Sequence, residues 1–373
     1  MRVLLLHNRY RFPGGEERAV ADISALLERR GHTTQVLERS SAQLPPTHAA
    51  RALLRGGDDP GEVAAAVRRL GADVVHVHNV HPLLGWRAIE AARAAGARTI
   101  LHLHNFRLFC AVAVGYRDGA PCFRCRGRDT LPGLRLRCRG SIPEAAAYAA
   151  GLFVQQPKLL RYADRLVTVS DATRGRLVAL GVPGNRLHTI PNFVPAARFV
   201  QQTLAGEGSY ALVAGRLVEE KGFDTAIAAA RMARTPLVVA GDGPDRERLQ
   251  ALAAGADVSF TGWLDGEQLD QIRARAAVVL VPSRWEEPCP YAALDALAAG
   301  VPVLATARGG LPELVGRENA LPADDVSAWA AALGALWSDA GLRRQRGEAC
   351  LDRARRQFGE DQFYEALMAL YSR

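Results

Sequence analysis

Glu287 and Asp295 are two acids with seven residues between them, set where a turn gives way to a short helix. Pro288 and Pro290 cannot sit inside a helix but suit its start. Residues 291–299 are rich in Ala and Leu and predict a helix, Gly300 stops it, and 301–305 is apolar enough for a strand buried on both faces. Glu287 then lies in the loop at the helix N-terminus and Asp295 within its first two turns. A helix N-terminus offers a partial positive charge and unpaired N–H groups to an anion, and a carboxylate beside it grips hydroxyls. A phosphate joined to a polyol fits both halves. The plain structural alternative is an Ala-rich helix capped by an acid.

Gly215-Arg216-Leu217 and Glu220-Lys221-Gly222 follow a second apolar segment, 211–214. A glycine there lets the backbone approach a ligand, and two cations at this spacing can flank one diphosphate. The alternative is a basic loop leading into a solvated helix. Gly241-Asp242-Gly243-Pro244 reads mostly as a tight turn with a cap, and the Gly309-Gly310 pair either as a plain turn or as one that brings N–H groups near a phosphate or sugar. Ser170-Asp171 reads as an ordinary helix cap.

His76, His78, His81, His102 and His104 cluster around two neighbouring strand ends. His76 and His78, like His102 and His104, are two apart, so each pair points to one face of its strand. A metal site is the obvious rival to buried, hydrogen-bonded imidazoles, but no carboxylate or cysteine stands at ligand spacing in these stretches. Cys110, Cys122, Cys125 and Cys138 form a separate group with a central Cys-x2-Cys. In a reducing compartment this spacing suggests one closed structural zinc site more than disulfides, with unrelated thiols as the other option. Arg124, Arg126, Arg128, Arg135, Arg137 and Arg139 share that insert with Phe123, Leu131, Leu134 and Leu136. They suit an anionic or lipid-linked acceptor, a membrane surface, or simply water.

Glu287-x7-Asp295, taken with Arg216 and Lys221, resembles the Glu-x7-Glu motif and phosphate-binding pair of the retaining family-4 glycosyltransferases of GT-B fold. The resemblance implies transfer of a hexose-type sugar from a nucleoside diphosphate to an acceptor hydroxyl, forming an α-linkage. It assigns Arg216 and Lys221 to the donor pyrophosphate, Glu287 to the donor sugar and Asp295 to the ribose. It extends donor contact to Gly215, Pro288, Cys289, Pro290 and Tyr291, and to Gly262 and Trp263 in a loop that meets the base. In the first half it sets His104-Asn105 beside the sugar, and Gly15, from Pro13-Gly14-Gly15-Glu16, by the phosphates or acceptor. Asn192 matches a Pro-Asn signal at the domain junction and reads as structural. Two departures stand out: Asp295 replaces a Glu and is one methylene shorter, and Pro290 replaces a common Gly. The donor expected is a UDP-sugar, with a GDP-sugar as second option; the acceptor is a glycan, a lipid-linked sugar or a small molecule. The family needs no metal cofactor for catalysis. Competing readings are an epimerase or phosphorylase of the same fold, or a degenerate nucleotide-sugar-binding partner protein.

Positioning these groups requires two α/β halves. Short apolar segments at 3–6, 34–37, 73–77, 99–103 and 166–169 alternate with helical stretches, and a second series runs at 211–214, 237–240, 258–260, 278–281 and 301–304. Each predicts a Rossmann-like, doubly wound parallel sheet, with ligands at the carboxyl ends of the strands in a cleft between the halves. The expected domains are 1–200, carrying the insert 109–140, and 201–361, with 190–195 and 201–209 as linker and 362–373 as a helix crossing back. The 373 residues suit two cores, and 49% hydrophobic against 23% charged residues excludes a disordered chain. A net charge of +8 favours anionic partners, but no RNA- or DNA-binding motif is present, so nucleic acid is set aside. With no run of about 18 apolar residues and Met1 leading straight into a strand, the expectation is a cytoplasmic protein without signal peptide, resting at most peripherally on the inner membrane face.

Overall fold

The computed structural model describes residues 1–9 and 14–372. It divides into two compact units, one made of Met1–Gly115, Cys122–Pro191 and Phe363–Arg373, the other of Tyr116–Pro121 and Asn192–Gln362.

The first unit holds a six-stranded sheet in the spatial order Thr33–Ser40, Arg2–Arg9, Val74–Val77, Arg98–Leu103, Arg165–Thr168, Leu187–Thr189. Every pairing is parallel. Val3, Leu4, Leu5 and Leu6 are fully buried, as a strand covered on both faces requires. Helix Gly15–Arg29 covers the sheet with Ala19, Val20, Ile23, Leu26 and Leu27, a stripe at helical spacing.

The second unit orders its six strands Val258–Gly262, Leu237–Ala240, Ala211–Ala214, Val278–Val281, Val303–Thr306, Ala320–Leu321, again all parallel. In chain order this is 3-2-1-4-5-6, and its direction of winding reverses between Ala211–Ala214 and Val278–Val281. That reversal is where open α/β sheets bind ligands.

The chain passes from the first unit to the second at Pro191/Asn192, and residues 192–209 are built into the second unit instead of spanning a gap. There Thr203 Oγ1 donates to the Gly300 carbonyl at 2.5 Å, and Arg343 Nε donates to the Ala205 carbonyl at 2.9 Å. The strand expected at 301–304 runs instead from Val303 to Thr306: Pro302 has no N–H for a ladder, although its carbonyl accepts from Val279 N–H at 2.8 Å. Leu187–Thr189 and Ala320–Leu321, each the last strand of its sheet, are additions to the sequence reading; at three and two residues they are too short to show a period. The final helix is Glu360–Ser372, and its residues from Phe363 onward belong to the first unit. Among the described residues no helix is long and apolar enough to cross a membrane.

Candidate active site

Four loops meet at the carboxyl ends of the second sheet, and glycines set how closely they approach. A Cβ on Gly241 would lie 1.9 Å from the Gly215 carbonyl oxygen, and one on Gly243 would lie 2.4 Å from that of Leu217. Leu217 N–H in turn donates to the Asp242 carbonyl at 2.9 Å. Gly241-Asp242-Gly243 is therefore the seat of the Gly215-Arg216-Leu217 loop. Gly222 lies against the Pro282 carbonyl, and Arg284 N–H donates to Glu220 O at 2.8 Å, which ties the cationic loop to the acidic one.

Glu287 ends that acidic loop and is buried. Its Oε1 accepts from Lys221 Nζ at 2.5 Å and from Ser283 Oγ at 2.7 Å. A buried carboxylate is costly unless paired and hydrogen-bonded, and these two donors meet that requirement. Arg216 differs: its side chain is 59% exposed and its nearest acid is Glu220 at 3.5 Å. An exposed pair of this kind is weak, so Arg216 can turn to an incoming anion at little cost.

The glycine pair after the next strand does not present two open N–H groups. Gly310 N–H donates to the Glu287 carbonyl at 2.7 Å, and a Cβ on Gly309, whose φ is +57°, would meet that same oxygen at 2.5 Å. Its work is to hold the backbone of Glu287.

Helix Tyr291–Ala298 begins behind Pro290 and buries Asp295. The Asp295 carboxylate lies 3.7 Å from Arg198 Nη1 and 3.7 Å from Arg273 Nη2. Arg273 is itself buried and also pairs with Asp270. Asp295 thus stands in an arginine clamp that the sequence reading did not include.

Pro288 and Cys289 are buried, while Pro290 and Tyr291 are half-buried. Asn192 Nδ2 donates to the Cys289 carbonyl at 3.0 Å, and burial pushes the Cys289 thiol up to about 12, so it stays protonated near neutrality. Gly262 spends its carbonyl on Gly241 N–H at 2.8 Å, but Trp263 beside it is 74% exposed and free to cover a planar group.

In the first unit, His104 is half-buried, with its Nε2 2.9 Å from Nδ1 of His78 and its ring stacked on His102. Burial, with neighbouring histidines, lowers it to about 3, so it is neutral near pH 7. Asn105 is engaged locally: its amide donates to Glu16, and its carbonyl accepts from Arg107 N–H at 2.8 Å. Gly15 opens helix Gly15–Arg29 on an exposed turn; Pro13 lies outside the described residues.

Comparison with known proteins decides what this arrangement belongs to. The sequence profile described as Glycosyltransferase Family 4 matches residues 13–198, and that described as Glycosyl transferases group 1 matches residues 208–339. This chain belongs to the family-4 glycosyltransferases. A GDP-mannose-dependent alpha-mannosyltransferase of Mycobacterium tuberculosis is 31% identical over 67% of this chain and 59% of its own length. D-inositol 3-phosphate glycosyltransferase of Acidothermus cellulolyticus is 29% identical over 96% of this chain and 85% of its own. HepE of Anabaena, solved in complex with UDP, is 16% identical with a TM-score of 0.69 over the whole of both chains. The fold is that of the GT-B glycosyltransferases. The chain spans little more than half the length of the mannosyltransferase and most of the inositol-phosphate enzyme.

This glycosyltransferase carries its cysteine insert partly on each unit, because the hairpin Tyr116–Arg117/Ala120–Pro121 groups with the second. Tyr116 donates to Glu219 at 3.2 Å, in the loop between Arg216 and Lys221. Cys110, Cys122, Cys125 and Cys138 are half-buried. Burial pushes the Cys125 thiol up to about 11, and Cys110, Cys138 and Cys122 all lie near enough to add to that rise. Gly133 leaves room beside Cys125 Sγ. Among the described residues, however, the only group of three metal-ligating atoms within 4.8 Å of one another comes from histidines. Several of the arginines in and around the insert lie on aromatic rings: Arg128 over Phe153 at 4.2 Å, Arg139 over Tyr148 at 4.3 Å and Arg176 over Phe123 at 4.3 Å. Leu131 and Ile142 are more than half exposed.

Sequence reasoning missed Ser283, Arg198 and Arg273. Ser283 stands four residues before Glu287 and was open to a closer reading, whereas the two arginines reach Asp295 from distant segments and carry no local signal.

Proposed function

We propose that this family-4 glycosyltransferase moves a hexose-type sugar from a nucleoside diphosphate to an acceptor hydroxyl with retention, giving an α-linkage. The observation that carries this reading is the buried Glu287 held by Lys221 and Ser283, with the exposed Arg216 in the same loop as Lys221, at the switch point of the second sheet. When the sugar–oxygen bond breaks, the electron pair leaves on the diphosphate. Lys221 and Arg216 stabilise that developing charge, the largest single demand of such a step. Glu287 orients the sugar and offsets the positive charge it gains. The acceptor oxygen attacks from the leaving-group face, and no covalent enzyme nucleophile is assigned. Asp295 takes the ribose and Trp263 flanks the base. His104, neutral and partly accessible, donates to the sugar. The donor is a UDP-sugar, with a GDP-sugar as the other option. The acceptor is a glycan, a lipid-linked sugar or a small molecule, with the arginine-rich insert on the acceptor side, where it also suits a peripheral contact with the inner membrane face in a cytoplasmic protein.

The four-cysteine insert, with its central Cys-x2-Cys, suits one structural zinc. Such a site would order the acceptor side without taking part in the reaction.

A thermal-shift panel of nucleoside diphosphates and their sugars, followed by turnover with the stabilising donor, tests the assignment. Glycosylated product with an axial anomeric linkage by NMR is the expected outcome. Tight nucleotide binding without turnover would instead favour the degenerate binding protein, a reading that the arginine clamp on Asp295 makes concrete, and conversion of the donor alone would favour the epimerase.

A further inference from the structure

His76, His78 and His102 lie in and just beyond two neighbouring strands of the first sheet, and one nitrogen from each falls within 4.8 Å of the other two. All three side chains are buried. Nε2 of His76 and Nδ1 of His102 are 3.2 Å apart. Two imidazoles on one tetrahedral ion, with bonds of about 2.0–2.1 Å, hold their nitrogens roughly 3.3 Å apart, so this spacing suits a shared ion as well as a hydrogen bond.

Hydrogen bonds within the protein do not satisfy the cluster. Nε2 of His78 and Nε2 of His102 are buried without a partner. Leaving such an atom unpaired is unfavourable, and directing the Nε2 lone pair of His78 at a cation removes its deficit. Two of the three rings have the outer partners that orient ligating imidazoles: Nδ1 of His76 is 2.7 Å from the Tyr371 hydroxyl, and Nδ1 of His78 is 2.9 Å from Nε2 of His104. A cavity of about 30 Å³ opens on His78 and His102, and on His81, whose Nε2 is also unpartnered. That volume admits an ion or a water and excludes a sugar.

We propose that His76, His78 and His102 bind a single late first-row transition-metal ion, of the zinc or copper type, as a structural site of the first unit. Three imidazoles select this class over magnesium or calcium, which take oxygen ligands. The Glu17 carboxylate, 3.4 Å from Nε2 of His7, supplies negative charge at the edge of the cluster. Through the His76–Tyr371 contact the ion also anchors the last helix to the sheet. The site belongs to the first unit, whereas Glu287 and Lys221 belong to the second, and it does not rest on the transferase reading.

The test uses the full chain, stripped with chelator, in wild type and in a Cys122→Ser/Cys125→Ser background that removes the cysteine insert as a source of bound metal. Each is titrated with Zn²⁺, Cu⁺ and Co²⁺. One equivalent of Zn²⁺ or Cu⁺ retained in the Cys background is expected, with a raised melting temperature, and both are lost in His78→Gln and His102→Gln but kept in the surface control His48→Gln. Absence of any bound ion in the Cys background overturns the proposal, as does an ion that survives both His78→Gln and His102→Gln. If those variants do not fold, the Co²⁺ spectrum of the Cys background decides. Visible d–d bands without thiolate charge transfer support imidazole ligation, and their absence overturns it.

Discussion

The three central strands of the second sheet, Ala211–Ala214, Val278–Val281 and Leu237–Ala240, contain only Ala, Val and Leu, whereas their counterparts in the first sheet carry His7, His76 and His102. Both sheets are parallel and buried on both faces, so the contrast lies in where polar groups are allowed. The second unit keeps its core apolar and moves its chemistry to loops beyond the strand ends, where Lys221, Arg216 and Glu287 can meet a ligand. The first unit draws imidazoles into the sheet and keeps those of His76, His78 and His102 neutral by desolvation. An identical layer architecture thus yields a charged grip in one half and a neutral, proton-refusing core in the other.

The largest effects should come from the charged grip. Lys221→Ala and Glu287→Gln should each lower kcat/KM for donor-dependent transfer by roughly 10² or more, with Glu287→Gln leaving nucleotide binding nearly intact. Because the two residues touch, their double variant should fall short of the product of the single effects. Arg216→Ala should also lose roughly 10², and an Arg216/Lys221 double variant working at full rate would end the idea that this loop holds the diphosphate.

Gly241→Ala tests the seat beneath that grip. Its Cβ would lie 1.9 Å from the Gly215 carbonyl at a φ of +137°, so a loss of about 2–3 kcal/mol in urea unfolding is expected, together with weaker nucleotide binding. Unchanged stability and binding would mean the loops are not coupled.

Acid should separate the two halves. Burial lowers His76 and His81 from 6.5 to about 3, and lowers His78 and His102 as well. In chelator-stripped protein, between about pH 6.5 and 3 the unfolded chain binds protons that the folded imidazoles refuse, so stability is fully present above pH 6.5 and falls as pH drops. Each histidine contributes up to about 1.4 kcal/mol per pH unit. Hydrogen exchange corrected for intrinsic rates should show Val74–Val77 and Arg98–Leu103 losing protection at pH 5 before Val278–Val281. Equal loss in both sheets would erase the contrast.

Asp295→Ala is the mildest of the four. Roughly tenfold weaker nucleoside diphosphate binding is expected if the acid reaches the ribose, consistent with loss of one polar contact of about 1.4 kcal/mol. An unchanged dissociation constant would leave Asp295 as the partner of Arg198 and Arg273 alone.

Ten of the strands were legible because a buried parallel strand is a short apolar run between helical stretches, as 278–281 shows without ambiguity. Glu287 and Lys221 were legible as candidates because each sits next to a glycine or proline that breaks such a run. The Gly309-Gly310 pair was legible only as a turn. Its sequence is compatible with an anion loop, and the nearby Glu287 backbone is what absorbs the Gly310 N–H.

The sequence by itself determined which segments are strands, that they form two series, and which loops hold acids and cations, since these depend on residue type and on periods of a few positions. Tertiary structure alone decided that Lys221 and Ser283 share one oxygen of Glu287, that Arg198 and Arg273 flank Asp295, and that three histidines and Tyr371 meet inside the first sheet. Apart from Ser283 and Glu287, those contacts bring together segments far apart along the chain, and their distances are fixed by sheet order and by glycine-width approaches between loops, which no local pattern of residues records.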